Sequence, residues 1–149
     1  MEINLRIVLN RSTPGVDFAL QKGRGGNYET VQKQSSSAKH DLKFDFPVTV
    51  KTAKDGAPDF AGPFVQGARG DRYVYIDIGT YAGQTNTPWS RRLKVPLSCI
   101  TWELINSQST LVGEIPGQAK DGGPACAYAW RKLFDPPWQW QPEKTRKRR

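Results

Sequence analysis

One histidine, two cysteines and one methionine are all that this 149-residue chain holds of the side chains that favour transition metals. The histidine, His40, lies in a Ser/Lys-rich stretch, SSSAKH, far from any partner of its own kind. A multi-histidine metal site and a Ser–His–Asp triad are therefore not expected, and His40 reads as a surface residue. Cys99 and Cys126 fit neither a metal-binding nor a redox spacing, and a cytoplasmic location would keep them reduced. Also missing is a long apolar run. Nothing approaches the roughly 20 residues needed to cross a bilayer as a helix. The opening MEINLRIVLN alternates polar and apolar and lacks a basic segment followed by a continuous apolar one, so it predicts a strand and not a secretion signal. No membrane association, no cofactor and no metal are expected, and the expected location is cytoplasmic.

Acidic residues are also in deficit, 14 against 22 Lys and Arg, for a formal charge of +8. The excess is unevenly placed. The last seven residues, EKTRKRR, hold five basic side chains and one Glu, leaving 17 basic and 13 acidic over residues 1–142. Half of the charge thus lies in a terminal segment with no apolar residue. Weak, non-specific contact with a polyanion is the most that segment supports, and solubility is the plainer role. The apolar share, 37%, is below that of an average globular chain, while 14 Gly and 11 Pro imply many turns.

What the chain has in quantity is period-2 alternation, the pattern of strands with one face buried. Ile3, Leu5 and Ile7 share one face, with Asn4, Arg6 and Val8 opposite. After the turn signal Arg11–Gly15, the alternation resumes at Val16, Phe18 and Leu20. Phe44, Phe46, Val48 and Val50 define a clear strand in which Pro47, lacking a ladder donor, marks an edge or a bulge. Val74, Ile76 and Ile78 alternate with Tyr73, Tyr75 and Asp77, and Tyr81 continues that second face. Over Ser90–Leu97, Arg91, Leu93, Val95 and Leu97 face one way and Ser90, Arg92 and Lys94 the other. Leu97, Ile100, Leu104 and Ile105 fit one or two helical turns capped by Thr101 or Ser98, the only helix predicted. Leu111–Ile115 and Ala125–Trp130 read as strands joined by PGQAKDGGP.

Several motifs have a plain reading. KGRGGN at Lys22–Asn27 lacks the Gly-Lys-Ser/Thr ending of a phosphate loop and the dinucleotide spacing, and is read as a hairpin or crossover loop. Arg69-Gly70-Asp71 spells an integrin-binding tripeptide but is read as a turn between strands. Trp138 and Trp140 suit a stacking platform for bases or sugars, although docking of their rings on the domain is the simpler reading.

The constellation that suggests a site is Gln66, Arg72, Tyr73, Tyr75, Asp77, Tyr81, Trp89, Arg92 and Lys94. Aromatic walls with one or two basic groups suit a small anionic or aromatic ligand, because guanidinium offers a planar fork for carboxylate or phosphate. Pairing of the two long strands would set Asp77 against Arg92 or Lys94. A cross-strand ion pair on a solvated face is the structural alternative.

The expected fold class is all-β: a single-domain antiparallel β-sandwich or barrel of about seven or eight strands with at most one short helix. The expected division is a β-domain over 1–134, an extended Pro/Trp-rich segment over 135–142 and a disordered basic tail over 143–149. The segments LRIVLNRSTPGVDFALQKG, GAPDFAGPFVQG, RYVYIDIGTYAGQ and WSRRLKVPLSCITWELI together resemble a bacterial family of uncharacterised proteins, a domain of unknown function. The resemblance spans residues 3–130. It implies a small, self-contained cytoplasmic bacterial protein and carries no activity, cofactor or catalytic residue. Three functions remain open at this point: a non-enzymatic binding module for a small anionic or aromatic ligand or a protein partner, a small β-barrel enzyme of the isomerase or cyclase kind using Asp77 or Tyr75 as acid/base, and a nucleic-acid accessory protein acting through the tail.

Overall fold

Strict alternation makes the strand over Leu42–Thr52 (β4) the spine of one sheet: Leu42, Phe44, Phe46, Val48 and Val50 are all buried. In the computed structural model, which describes residues 1–11, 16–24, 27–35, 37–81, 89–115 and 139–143, β4 lies antiparallel to the strand over Glu2–Leu9 (β1). Their register sets Leu5 against Phe46 and Ile7 against Phe44, so both apolar rows meet on one face. The remaining members of this sheet are Pro58–Ala61 (β5), Leu111–Ile115 (β8) and Gln141–Pro142 (β9), in the order β5-β4-β1-β8-β9.

A second sheet holds Val16–Arg24 (β2), Asn27–Ser35 (β3), Tyr73–Tyr81 (β6) and Trp89–Pro96 (β7), in the order β3-β2-β6-β7. Phe18, Leu20, Val74, Ile76 and Val95 are wholly buried, and they join Leu5, Ile7, Phe44 and Phe46 in one hydrophobic cluster. Two open sheets enclosing one core make a β-sandwich, which decides the sandwich-or-barrel question left by the sequence. The predicted helix is present over Trp102–Ile105 (α1), and the Thr101 hydroxyl accepts from the Leu104 N–H as its cap.

The two sheets are stitched at both flanks. On one flank, β5 covers β4 only from Thr49 onward, so the earlier part of that β4 edge has no strand beside it among the described residues. Pro47 sits in that stretch, where its missing N–H costs no ladder bond. The side-chain amides of Gln32 and Gln34 on β3 reach across and donate to the Asp45 and Lys43 carbonyls at 2.8 and 2.7 Å. On the other flank, the Trp140 indole N–H donates to the Pro96 carbonyl at 2.8 Å. Trp140 is only 4% exposed and belongs to the core cluster.

Four observations refine the sequence reading. β2 and β3 extend to Arg24 and Asn27, which pair, so the two strands are antiparallel neighbours up to either side of residues 25–26. β8 pairs parallel with β1, an exception to the otherwise antiparallel pattern. The terminal segment is part of the sheet: β9 pairs with β8, and Trp140 docks inward, where its ring area finds a dry partner. Glu143, expected to begin a disordered tail, donates its N–H to the Thr110 carbonyl at 2.7 Å and pairs with Arg6. The predicted strand at 125–130, Trp138, Cys126 and residues 144–149 lie outside the described residues. Among the described residues, no helix is long and apolar enough to cross a membrane.

Candidate functional site

The site is built on the segment that follows β5. Two turns carry it. Gly62 (φ +145°) ends β5, and the Val65 N–H returns to its carbonyl at 3.1 Å. Phe64 and Val65 then drop into the core, with the Phe64 ring 5.5 Å from that of Phe46. Gln66 and Tyr73 exchange backbone hydrogen bonds at 2.8 and 3.1 Å, closing a loop over residues 67–72. Arg69-Gly70-Asp71 is the turn of that loop, as read from the sequence: Gly70 has φ +89° and the Asp71 N–H donates to the Ala68 carbonyl.

Gly67 is the tightest point. Its φ is +88°, and a Cβ there would lie 2.3 Å from the Asp71 carbonyl oxygen and 2.7 Å from Tyr73 Cε2. Only glycine fits both the backbone conformation and the approach of the tyrosine ring.

The loop is held by two aspartates of the β4–β5 hairpin. Asp55 accepts from the Ala57 N–H at 3.0 Å and pairs with Arg69 at 2.7 Å. Asp59 meets Arg72 side-on, taking Nε at 3.1 Å and Nη2 at 3.4 Å, while Nη1 of Arg72 donates to the Gly67 carbonyl. The bond from Arg72 holds the Asp59 carboxyl below its ordinary range, against partial burial that pushes it up. Asp55 is also lowered, first by the Ala57 N–H and then by Arg69.

Between β5 and this loop lies a cavity of about 400 Å³, lined by Phe60, Ala61, Gly62, Val65, Gln66, Gly67 and Arg72. Gln66 is buried to 7% exposure, and Arg72 is partly exposed at the wall. Guanidinium carries five N–H donors. Three are occupied in the bonds just described, leaving one on each terminal nitrogen. The arrangement leaves one donor on each terminal nitrogen for an acceptor, in a pocket otherwise lined by Phe60, Ala61, Gly62, Val65, Gln66 and Gly67.

The expected residues divide into two groups. Gln66 and Arg72 belong to the cavity. Tyr73, Tyr75 and Lys94 lie instead on the face of β6 and β7 away from the core: the tyrosine rings are 5.0 Å apart, their hydroxyls are 3.3 Å apart, and Lys94 Nζ stands 4.3 Å over the Tyr73 ring. Lys94 pairs with Asp71 at 3.7 Å. The β6–β7 register sets Asp77 opposite Arg92, as the phase of the two strands implied, and Tyr75 opposite Lys94. The side chains of Asp77, Tyr81, Trp89 and Arg92 lie outside the described residues. Asp59, Ala61, Gly62 and Gly67 were not among the expected residues. The repeated glycines of GPFVQG were the available signal, since positive φ and close approach both call for glycine.

A second cavity of about 240 Å³ lies on the outer face of the other sheet, near Arg6, Val8, Lys43, Glu114 and Glu143. There Arg6 is already engaged by Asp45 at 2.7 Å and by Glu143. Among the described residues no group of three or more His, Cys, Asp or Glu is placed to hold a metal ion.

No curated protein and no solved structure matches the chain. A family model does match it, over residues 3–141, extending the resemblance seen in the sequence from residue 130 through Trp140 to the end of the core. The chain belongs to that family, described as a family of unknown function (DUF5990).

Proposed function

We propose that this protein is a non-enzymatic binding module for a small ligand, received in the cavity between β5 and the loop over residues 67–72. One observation carries the reading: a cavity of about 400 Å³ with Arg72 fixed in its wall. Small-molecule sites are concave and hold few polar groups, each oriented before the ligand arrives. Arg72 meets that description, because Asp59 and the Gly67 carbonyl fix its plane. A side chain ordered in advance loses less entropy on binding. The Tyr73–Tyr75–Lys94 group is read as structural, since its members satisfy one another across the outer face.

The test is a titration of the ¹⁵N-labelled full chain with a panel of small carboxylates, amides, phosphates and aromatic compounds. Amide shifts should concentrate at Ala61, Gly62, Val65, Gln66, Gly67 and Arg72. Shifts confined to other regions, or none with any compound, would overturn the reading.

A further inference from the structure

Resting on that reading, we infer that the cavity selects a planar, singly charged acceptor, a carboxylate joined to a small body, over tetrahedral anions such as phosphate or sulfate. The first argument is charge. Among the described residues, Arg72 is the only ionisable one lining the cavity, and Asp59, which is not part of the lining, has both oxygens engaged by Arg72. Arg69, the next basic group of the loop, is paired with Asp55. The local charge therefore balances to near zero before a ligand enters. A dianion leaving water would find no net positive charge to replace its hydration, and Asp59 would repel it. A monoanion bears a smaller desolvation cost and gains two charge-assisted bonds.

The second argument is shape. The remaining donors of Arg72 are one on each terminal nitrogen, coplanar by the chemistry of guanidinium. A carboxylate matches two such N–H groups with two oxygens in one plane. A phosphate could use the same two, but its other oxygens would meet a lining whose remaining described residues, Phe60, Ala61, Gly62, Val65, Gln66 and Gly67, carry no charge.

The third argument is the strength of the frame. Arg72 cannot swing toward a larger anion without breaking its bonds to both Asp59 and Gly67. Gly67, which accepts from Arg72, sits where any Cβ would meet Tyr73 and the Asp71 backbone, so that turn is open to glycine alone. The site is thus preset for one geometry, and discrimination follows from what the wrong anion leaves unmatched.

The experiment uses the full chain and four probes, acetate, benzoate, inorganic phosphate and sulfate, at matched ionic strength, read by NMR shifts of the Gly67 amide and the Arg72 Nε–H. Acetate or benzoate should bind at least tenfold more tightly than phosphate or sulfate. Arg72→Lys keeps the charge but removes the fork, and should weaken the carboxylate at least tenfold. Should that variant fail to fold, Ala61→Trp fills the mouth without touching the ion pair and should produce the same loss. Phosphate or sulfate binding at these residues as tightly as the carboxylates would refute the selectivity and leave the binding-module reading intact. No response at these residues from any probe or from the wider panel would refute both.

Discussion

Alanine at Gly67 and at Gly70 separates two effects that glycine substitutions usually confound. Both positions lie in the same loop with nearly the same φ, +88° and +89°. Alanine at either therefore bears a similar backbone penalty, about 1–2 kcal/mol for a left-handed L-residue. Both also gain about 0.4–1 kcal/mol from restricting the unfolded chain. These contributions cancel in the difference between the two variants. What remains is the surroundings: a Cβ at Gly70 meets nothing within 4 Å, whereas at Gly67 it falls 2.3 Å from backbone oxygen and 2.7 Å from a ring carbon. Relief requires moving the Asp71 carbonyl and the Tyr73 ring, and with them the Arg72 fork. Forced backbone shifts and displaced packing cost about 1–3 kcal/mol. Gly70→Ala should thus lose no more than about 1–2 kcal/mol, and Gly67→Ala about 1–3 kcal/mol beyond it, measured by urea unfolding with equal m-values. Equal losses at the two positions would mean that Gly67 is not the tight point, and the preset geometry of Arg72 would lose its foundation.

Further expectations follow from packing and charge. Ile76→Ala should cost about 2–5 kcal/mol, since the side chain is wholly buried, while Tyr75→Phe on the opposite face should cost about 1 kcal/mol for its hydroxyl bond; equal costs would invert the face assignment. Trp140→Ala should cost about 3–5 kcal/mol in the same assay, against an unchanged melting temperature when residues 144–149, which lack any apolar side chain, are deleted. Paired loss of Gln32 and Gln34 to alanine should open the β3–β4 flank, seen as faster amide exchange along β4 than in either single variant. For Asp59, a folded-state pKa below the ordinary 3.8 means that the Arg72 pair contributes above that value and fades as pH falls through the lowered one. The Asp59→Asn variant should accordingly lose stability relative to the parent at pH 6 and converge with it in strong acid. A gap that widens on acidification would reverse the assigned direction.

Alternation was legible wherever one strand face meets the core. Phe44, Phe46, Val48 and Val50 declare β4, and Val74 and Ile76 declare β6, because a period of two leaves no other face to bury. The Thr101 cap was legible for a similar local reason. β9 was not, since two residues show no period and their pairing depends on β8. Trp140 could be read as a docked ring, but no local pattern shows which strand it caps. The parallel partnership of β1 and β8 depends on a crossover longer than any sequence window. The candidate site was half legible. Gln66 and Arg72 were named for their chemistry, yet their setting comes from Asp59, thirteen positions earlier and brought near only when β5 folds back on β4. Repeated tyrosines drew attention to the outer face, where Tyr73, Tyr75 and Lys94 engage one another.

The most direct test of the account is a crystal structure of the full chain grown with benzoate. The account predicts its carboxylate within about 3 Å of both terminal nitrogens of Arg72, the Asp59 pair intact, and the ring between Ala61 and Gly67. Benzoate bound elsewhere, or a cavity closed by collapse of the segment from Gly62 to Gly67 onto Arg72, would contradict it.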